Sequence, residues 1–403
     1  MNEIFATYDE AESHAIFTYG YESDTFEIIE VENSYQILLK ETARKHEKFA
    51  SALADWEVEL NAHIEEFNKQ YAVVLNGTKT LVMKTSFDEN RNRKRRDYLS
   101  IQSFNALYAN TKIKIGEKEV KGEIVDVLKT KSQAWLEHPN RQQYIDGIIF
   151  KPSIYAGGIE QKPVLYDNKL NLWEGYSVAP QKAAEKEALD RVYLHIYQVI
   201  CQGDIDCYEY LLNWIARCLQ YPEQTGQVAV ALKGEKGCGK GTLGNFIKAI
   251  FGQHGLQVTN PKHLTGNFNH HMADCCFLFA DEVFFAGDKT VENIMKGLIT
   301  EPTLMIEAKG IDAIENPNLL KIFMASNNDW ITLASRDERR YFVLNVSSEK
   351  ISDKAYFKAL RDDVNNPEIQ AAFLFEMLHR DISNFDVTKV PDTAALKVAN
   401  TFQ

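Results

Sequence analysis

The sequence has little of three things: long apolar runs, paired cysteines and net positive charge. No stretch approaches the roughly 18 consecutive apolar residues of a membrane-spanning helix. The opening residues, Met1 to Ile4, lack the pattern of a secretory signal peptide. No two of the six cysteines are spaced as a C-x-x-C pair, so neither a zinc site nor a disulfide framework is indicated. We therefore expect a cytoplasmic protein with no membrane partner.

Acidic residues outnumber basic ones by 57 to 45, which gives a formal net charge of −12 in 403 residues. Such a chain does not coat nucleic acid with its whole surface, because binding to phosphates needs clustered lysine and arginine. A ring whose few basic groups face an inner channel is still compatible with this charge. The length allows two or three domains.

The segment around which the chain is organised begins with an apolar run, Gln227 to Leu232, that predicts a buried strand. A glycine-rich stretch, Gly234 to Thr242, follows, and apolar residues then recur at helical spacing from Leu243 to Ile250. This order is typical of a loop that binds a nucleotide triphosphate, because backbone N–H groups and the helix N-terminus favour phosphate there. The alternative is an ordinary glycine-rich turn before a helix.

The candidate nucleotide ligands in this loop are Gly234, Gly237, Cys238, Gly239, Lys240, Gly241 and Thr242. We expect Lys240 to reach the β- and γ-phosphates and a hydroxyl to hold Mg²⁺. The usual serine or threonine directly after the lysine is Gly241 here, and Thr242 comes one position later. Thr242 is therefore the candidate hydroxyl, on weaker grounds than the lysine.

A second apolar strand, Cys275 to Ala280, ends in two carboxylates, Asp281 and Glu282. Two carboxylates after a buried strand, beside a phosphate loop, are what hydrolysis of a nucleotide requires. We expect Asp281 to hold Mg²⁺ through its water shell and Glu282 to orient and polarise the attacking water.

A third apolar strand, Leu320 to Ala325, leads into two asparagines. An amide at the end of a central strand can contact both the γ-phosphate and the attacking water. Asn327 is the candidate for this catalytic role and Asn328 is the fallback. The alternative is an ordinary turn after a strand.

Two arginines, Arg339 and Arg340, precede a fourth expected strand, Phe342 to Leu344. Either one can act as a finger that reaches the nucleotide of a neighbouring subunit, an effect worth about 10³–10⁵ in rate. The alternative is a surface ion pair with Asp337 or Glu338, which contributes less than about 1 kcal/mol.

Between the second and third strands, the stretch from Thr303 to Gly310 and the polar residues after it predict a hairpin with Lys309 near its tip. A lysine on a hairpin that projects into a channel can bind the phosphates of single-stranded DNA. A solvated lysine at a hairpin tip is the alternative.

Upstream of the phosphate loop, the patterns predict packing rather than chemistry. Ser34 to Tyr71 has a helical period, which predicts a packing face or, less simply, a surface for self-association. Asn76-Gly77 between two apolar runs predicts a hairpin. The basic run Arg91 to Arg96 predicts a solvated connector or a phosphate contact.

The stretch from Ala183 to Gln224 has a helical pattern that is interrupted by Asp204-Ile205-Asp206. A D-x-D pair is one way to bind a metal ion. At a helix N-terminus, however, acidic residues cap the helix and favour its dipole, so we expect capping here.

Taken together, the phosphate loop, the acidic pair and the asparagine, all between Gly234 and Asn327, resemble a superfamily 3 helicase. This is the compact AAA+-type class carried by viruses, phages and plasmids. The resemblance is greatest to the helicase portion of phage and poxvirus-like primase-helicases, and it extends over residues 65–400.

The resemblance implies an α/β fold, with a P-loop AAA+-type ATPase core around a parallel central sheet, preceded by an α+β domain and a helical collar. We expect an N-terminal helical or linker region at residues 1–70, an α+β accessory domain at 71–180 and the helical collar at 181–225. The ATPase domain follows at 226–350, and a C-terminal helical segment at 351–403.

Carried over to this sequence, the resemblance implies ATP and Mg²⁺ as cofactors and single-stranded DNA at a replication fork as the partner. It makes Asn327 the sensor asparagine, Lys309 the DNA-binding lysine, and Arg339 or Arg340 the finger. It implies a hexameric ring. Relatives often carry a primase, and since no primase signature is present here, priming belongs to another protein or to another part of a longer chain.

Three other functions are compatible with parts of the sequence. The glycine loop is also found in adenylate-kinase-like phosphotransferases, although these have little use for Asp281, Glu282 and a sensor asparagine. An AAA+ ATPase that remodels protein would lack stimulation by DNA. A replication initiator that only binds ATP would not need the carboxylate of Glu282.

Overall fold

The computed structural model describes residues 4–5, 7, 11, 26–31, 34–39, 55–89, 93–153, 165–183, 186–266, 269–283, 289–307, 313–327 and 340–393. All structural statements below concern these residues.

The described residues contain nineteen strands: β1 (Ile4–Phe5), β2 (Phe26–Val31), β3 (Ser34–Leu39), β4 (Tyr71–Asn76), β5 (Lys79–Asp88), β6 (Arg93–Leu99), β7 (Lys112–Val120), β8 (Glu123–Thr130), β9 (Gln143–Tyr144), β10 (Ile148–Ile149), β11 (Leu165–Tyr166), β12 (Lys169–Asn171), β13 (Ala229–Lys233), β14 (Gly255–Val258), β15 (Phe277–Asp281), β16 (Thr303–Ile306), β17 (Ile314–Pro317), β18 (Lys321–Ser326) and β19 (Tyr341–Asn345).

They also contain ten α-helices: α1 (Asp55–Gln70), α2 (Ile101–Leu107), α3 (Lys131–Glu137), α4 (Lys186–Leu194), α5 (Ile205–Gln220), α6 (Lys240–Phe251), α7 (Lys262–Thr265), α8 (Lys289–Thr300), α9 (Lys354–Asn365) and α10 (Pro367–His379). A π-helical segment, His195–Ile200, continues α4.

The chain forms two compact units. The first consists of Met1–Tyr71 and Leu99–Gln142, and the second of Ala72–Tyr98 and Gln143–Gln403. The chain therefore leaves the first unit, enters the second and returns before the remainder of the second unit is completed.

Aromatic side chains form the core of the first unit. Trp135 is fully buried, and its ring centroid lies 5.5 Å from that of Phe104. Its indole N–H donates to the side-chain oxygen of Asn68 at 2.8 Å, so the polar edge of this buried ring is satisfied. On α1, Ile64 and Phe67 are buried, as the predicted packing face requires.

The helix predicted from Ser34 to Tyr71 is wrong at its beginning. Ser34–Leu39 is the strand β3, which pairs antiparallel with β2, and the described helix covers Asp55–Gln70. The two strands are separated by only two residues, and Val31 pairs with Ser34. A nearby pairing partner therefore decides the conformation here, because β propensity depends on the neighbouring strand more than on the segment itself.

The second unit is built around a five-stranded parallel sheet, in the order β14-β15-β18-β13-β19. Its inner strands β13, β15 and β18 are buried almost throughout. Strands covered on both faces read as continuous apolar runs, which is why the sequence predicted them. An α/β fold with a parallel central sheet is confirmed.

Helices pack against this sheet on its apolar faces. On α5, Trp214 is fully buried and donates its indole N–H to the carbonyl of Val228 at 2.9 Å, next to β13. The helix begins at Asp204, whose carboxylate accepts from the backbone N–H of Cys207 at 2.9 Å. The prediction that the D-x-D pair caps a helix is therefore confirmed.

The hairpin predicted around Asn76-Gly77 is present. Strands β4 and β5 are neighbours in a four-stranded sheet of order β6-β5-β4-β9, and Gly77 has a φ of 61°, which glycine adopts without strain.

The basic run after this hairpin is not a loop, because residues from Arg93 onward form β6. Arg93 forms an ion pair with Asp274 at 2.8 Å and Arg96 one with Glu174 at 2.6 Å. Burial would raise the pKa of the Asp274 carboxyl, but Arg93 and its other polar neighbours hold that pKa below its usual value. The prediction of a solvated connector is therefore wrong for these two arginines, which lie on a strand and pair with carboxylates.

No helix within the described ranges is both long enough and apolar enough to cross a membrane.

Candidate active site

The register of the parallel sheet brings the ends of three strands together. Lys233 at the end of β13 pairs with Ser326 on β18, and Asp281 at the end of β15 pairs with Ala325. The residues that follow these strands therefore lie at the same edge of the sheet. In open α/β sheets this edge, beyond the carboxyl ends of the strands, is where ligands bind.

A cavity of about 490 Å³ opens at this edge. Eight of the residues predicted from the sequence line it: Gly237, Gly239, Lys240, Gly241, Thr242, Asp281, Glu282 and Asn327. The remaining two loop residues lie beside it, with Gly234 directly after β13 and Cys238 buried. The structure thus brings the whole predicted loop, the acidic pair and the asparagine into one place.

The glycine loop has a conformation that other residues do not adopt easily. Gly237 and Gly239 have φ angles of 88° and 100°. A Cβ atom on Gly239 would lie 2.4 Å from the ring of His195, which is itself hydrogen-bonded to the hydroxyl of Tyr356 at 2.8 Å. Glycine is therefore required at position 239 for two reasons: its positive φ angle and the ring of His195 packed against it.

Lys240 begins α6 and is almost fully buried. Its ammonium donates to the carbonyl of Gly234 at 2.7 Å, to the carbonyl of Glu235 at 2.8 Å and to the side-chain oxygen of Asn327 at 2.9 Å. These acceptors are neutral, and no carboxylate pairs with Lys240 among the described residues. A buried cation without an anion is costly, so this position is well suited to a negatively charged ligand.

Glu282 has a backbone φ of 56°, in the left-handed region that residues with a side chain rarely adopt. Its N–H donates to the carbonyl of Ala325 at 2.9 Å, which fixes this conformation at the end of β15. Backbone strain of this kind costs on the order of 1 kcal/mol and concentrates at functional sites. The strained backbone at Glu282 is therefore a reason, independent of the sequence motif, to assign a function to this residue.

Asp281 is oriented by a side chain that sequence reasoning missed. Gln257 on β14 donates to its carboxylate at 3.0 Å, and Lys248 on α6 donates to the amide oxygen of Gln257 at 2.9 Å. Burial lowers the pKa of the Lys248 ammonium. Gln257 lies on an edge strand without a distinctive pattern, so nothing in the sequence points to this contact.

The donors around the cavity fit a magnesium ion bound together with a phosphate ligand. Thr242 and Asp281 both line the cavity and supply a hydroxyl and a carboxylate oxygen. Within the described part of the chain, no three His, Cys, Asp or Glu side chains are grouped as a metal site. Mg²⁺ suits such a place, because it is commonly held by one or two carboxylates, water and phosphate oxygens.

Arg340, one of the two candidate finger arginines, does not line this cavity. Arg340 lies just before β19, and its carbonyl accepts from the N–H of Ala229 at 2.8 Å. Ala229 begins β13, so Arg340 is at the opposite end of that strand from the phosphate loop, about 13 Å away along it. Lys309, Asn328 and Arg339 lie outside the described residues. For Lys309, the flanking strands β16 and β17 do form the predicted antiparallel hairpin.

Helix α9 and the turn before it add four cavity residues that the sequence did not indicate. They are Ile351, Lys354, Phe357 and Arg361. Residues so far from the phosphate loop along the chain reach it only through the packing of helices around the sheet, which no local pattern reveals.

Comparison with known proteins gives three kinds of likeness. A family model described as a family of unknown function (DUF5906) matches residues 232–340, which run from the end of β13 to Arg340. The DNA primase-polymerase of Nitratiruptor phage NrS-1 is 29% identical over 168 residues, which are 40% of this chain and 23% of that protein. The match thus spans less than a quarter of that relative's length.

Two solved structures share the fold. An apo structure of the NrS-1 C-terminal region aligns with a TM-score of 0.55 at 20% identity, over 79% of this chain and 72% of that one. A second apo structure of that region, its A form, aligns with a TM-score of 0.54 at 19% identity, over 82% and 71%. Together, these comparisons show that this chain is similar in sequence to part of a phage DNA primase-polymerase and shares the fold of the NrS-1 C-terminal region, in agreement with the phage-type resemblance predicted from the motifs.

Proposed function

We propose that this chain is the ATP-hydrolysing helicase part of a phage-type DNA replication protein, which moves along single-stranded DNA in the host cytoplasm. The observation that supports this best is the convergence of Lys240, Glu282 and Asn327 on one cavity at the carboxyl edge of a parallel sheet. A phosphate-binding lysine, a general base and a polar sensor are the parts that nucleotide hydrolysis needs.

In this proposal each side chain has a stated task. Lys240 leaves the loop carbonyls and binds the β- and γ-phosphates, while Asn327 binds the γ-phosphate and the attacking water. Glu282 takes the proton of that water. Mg²⁺, when bound, neutralises phosphate charge, and Thr242 and Asp281 would hold it.

The position of Arg340 favours hydrolysis between subunits. Arg340 lies far from the phosphate loop of its own chain, so it can act as a finger only on the nucleotide of a neighbour. We propose that Arg340 or Arg339 has this role in a homo-oligomeric ring of six subunits. In such a ring the hairpin that carries Lys309 faces the channel and binds the DNA backbone.

Strand separation tests the helicase function. On a forked DNA duplex with ATP, the wild type should release the displaced strand, and Lys309→Ala should lose this activity while it retains hydrolysis without DNA. Lys389→Ala, which removes an exposed lysine that does not line the cavity, is the control. Unwinding by Lys309→Ala at the wild-type rate would remove that lysine from the DNA path.

If hydrolysis does not respond to DNA, a protein-remodelling ATPase becomes the better explanation. If Glu282→Gln leaves the biological activity intact, a replication initiator that only binds ATP becomes the better explanation. AMP-dependent formation of ADP would indicate a phosphotransferase.

A further inference from the structure

We propose that helix α9 forms a second, cationic wall of the nucleotide site, and that Lys354 and Arg361 bind the phosphates of the nucleotide together with Lys240. This inference rests on the proposed nucleotide site and adds two ligands that neither the sequence motifs nor the likeness to other proteins assigned.

The three cavity residues within α9 occupy one face of the helix. Lys354, Phe357 and Arg361 are spaced at i, i+3 and i+7, which places them side by side on the surface of an α-helix. All three line the same cavity as Lys240 and Glu282. The face is therefore directed at the phosphate loop as a unit.

Helix α9 is held firmly in this position. Its first turn is capped by Asp353, whose carboxylate accepts from the N–H of Tyr356 at 2.9 Å. Leu360 is buried in the core. Near the other end, Asp363 accepts two hydrogen bonds from the guanidinium of Arg191, at 2.6 and 2.8 Å. A helix fixed at both ends positions its side chains more precisely than a loop does.

The phosphate loop and α9 are in direct contact. A Cβ atom on Gly239 would lie 3.1 Å from the ring of Phe357, which itself is buried. A movement of the loop around a nucleotide would therefore shift Phe357, and with it Lys354 and Arg361, which lie about one turn away on α9.

The charges at the cavity favour a polyanion. Lys354 and Arg361 are exposed, and within the described ranges neither side chain forms an ion pair or a side-chain hydrogen bond. With Lys236 and Lys240 they make four basic groups at the cavity, against two acidic ones, Asp281 and Glu282. The cavity thus has a local excess of positive charge although the chain has a net charge of −12. A nucleotide triphosphate with Mg²⁺, which keeps a net negative charge, is complementary to it.

The test compares binding of ATP, ADP and AMP, each with Mg²⁺, to the full chain by displacement of a fluorescent ATP analogue. The variants are Lys354→Ala and Arg361→Ala, with Lys358→Ala as the matched control, since Lys358 is an exposed lysine of the same helix that does not line the cavity. Lys240→Ala reports whether the site binds nucleotide at all.

We expect each cavity variant to weaken ATP binding about ten-fold or more and to reduce the preference for ATP over AMP. We expect Lys358→Ala to behave as the wild type. A loss of selectivity among phosphates distinguishes a ligand from a residue that only stabilises the helix. Arg361→Glu should weaken ATP binding further than Arg361→Ala, because it repels the phosphates.

Two results would overturn the inference, and they differ. If Lys240→Ala loses ATP while both cavity variants bind ATP, ADP and AMP as the wild type does, the nucleotide site stands and α9 takes no part in it. If neither the wild type nor Lys240→Ala binds any of the three nucleotides, the proposed function fails together with this inference.

Discussion

The ammonium of Lys240 donates a hydrogen bond to the side-chain oxygen of Asn327 at 2.9 Å and so joins the phosphate loop to the end of the neighbouring strand β18. The two residues are far apart in sequence and meet because β13 and β18 are adjacent and parallel. A phosphate that binds Lys240 takes the place of this bond or lies next to it. Binding at the loop is thereby sensed by the residue proposed to hold the attacking water.

Replacing Asn327 by aspartate should weaken nucleotide binding. The new carboxylate would form a buried ion pair with Lys240 and compete with the phosphates for it. We expect ATP affinity to fall at least ten-fold, and hydrolysis by about 10²-fold, as when one polar catalytic contact is lost. Titration with a fluorescent ATP analogue and a phosphate-release assay measure both.

Asn345→Asp is the matched control, because Asn345 ends the adjacent strand β19 and does not line the cavity. Equal affinities in Asn327→Asp and the wild type would show that the bond between Lys240 and Asn327 has no part in binding.

Replacing Glu282 by glycine should abolish hydrolysis and yet stabilise the fold relative to alanine. Both changes remove the proposed general base, which is worth about 10²–10⁴ in rate. Only glycine adopts the left-handed backbone at this position without strain. We therefore expect the free energy of unfolding of Glu282→Gly to be about 1 kcal/mol higher than that of Glu282→Ala. Urea denaturation measures the difference, and Glu282→Gln should retain ATP binding.

Normal turnover by Glu282→Gln would contradict its role as the base. Equal stability of the glycine and alanine variants would show that the backbone at this position carries no strain.

Arg339→Ala and Arg340→Ala should lower hydrolysis only in assembled rings. A subunit with an intact loop but no finger, mixed with Lys240→Ala subunits that have the finger, creates interfaces with both parts intact. We therefore expect the mixture of the finger variant and Lys240→Ala to hydrolyse ATP faster than either alone. If mixing with Lys240→Ala does not raise the rate of ATP hydrolysis of one of these variants, the arginine that it lacks does not act on a neighbour's nucleotide.

Stability should fall as the pH drops from about 7.5 to 5. Burial lowers the pKa of His195 and of His254 to about 4 in the folded chain, whereas the unfolded value is about 6.5. The folded state thus binds fewer protons, so this stability is present above pH 6.5 and is lost as the pH falls toward 4. For each ring the loss by pH 5 is about 2 kcal/mol.

Urea denaturation at both pH values measures this loss. His254→Asn should reduce the pH dependence, whereas His379→Asn, which removes an exposed histidine, should leave it unchanged. A free energy of unfolding that is equal at pH 7.5 and pH 5 would contradict the neutral, buried state of both rings.

Much of the central sheet and the candidate site follows from local sequence. Strands β13, β15 and β18 are apolar runs because both sheet faces are covered, and the polar residues after them mark the carboxyl edge. The contact between Gln257 and Asp281 does not follow, since it depends on which strand lies at the sheet edge. Nor does the approach of Arg361 to the phosphate loop, which results from helix packing. The strand conformation of Ser34–Leu39 does not follow either, because it depends on pairing with β2.

The most direct test of the proposed motor is ATP hydrolysis by the purified chain with and without single-stranded DNA, beside Lys240→Ala. If the chain is a helicase, DNA should raise the rate several-fold, and Lys240→Ala should abolish both the basal and the stimulated rate. Hydrolysis that is indifferent to DNA, or that persists in Lys240→Ala, would contradict a DNA motor driven from this site.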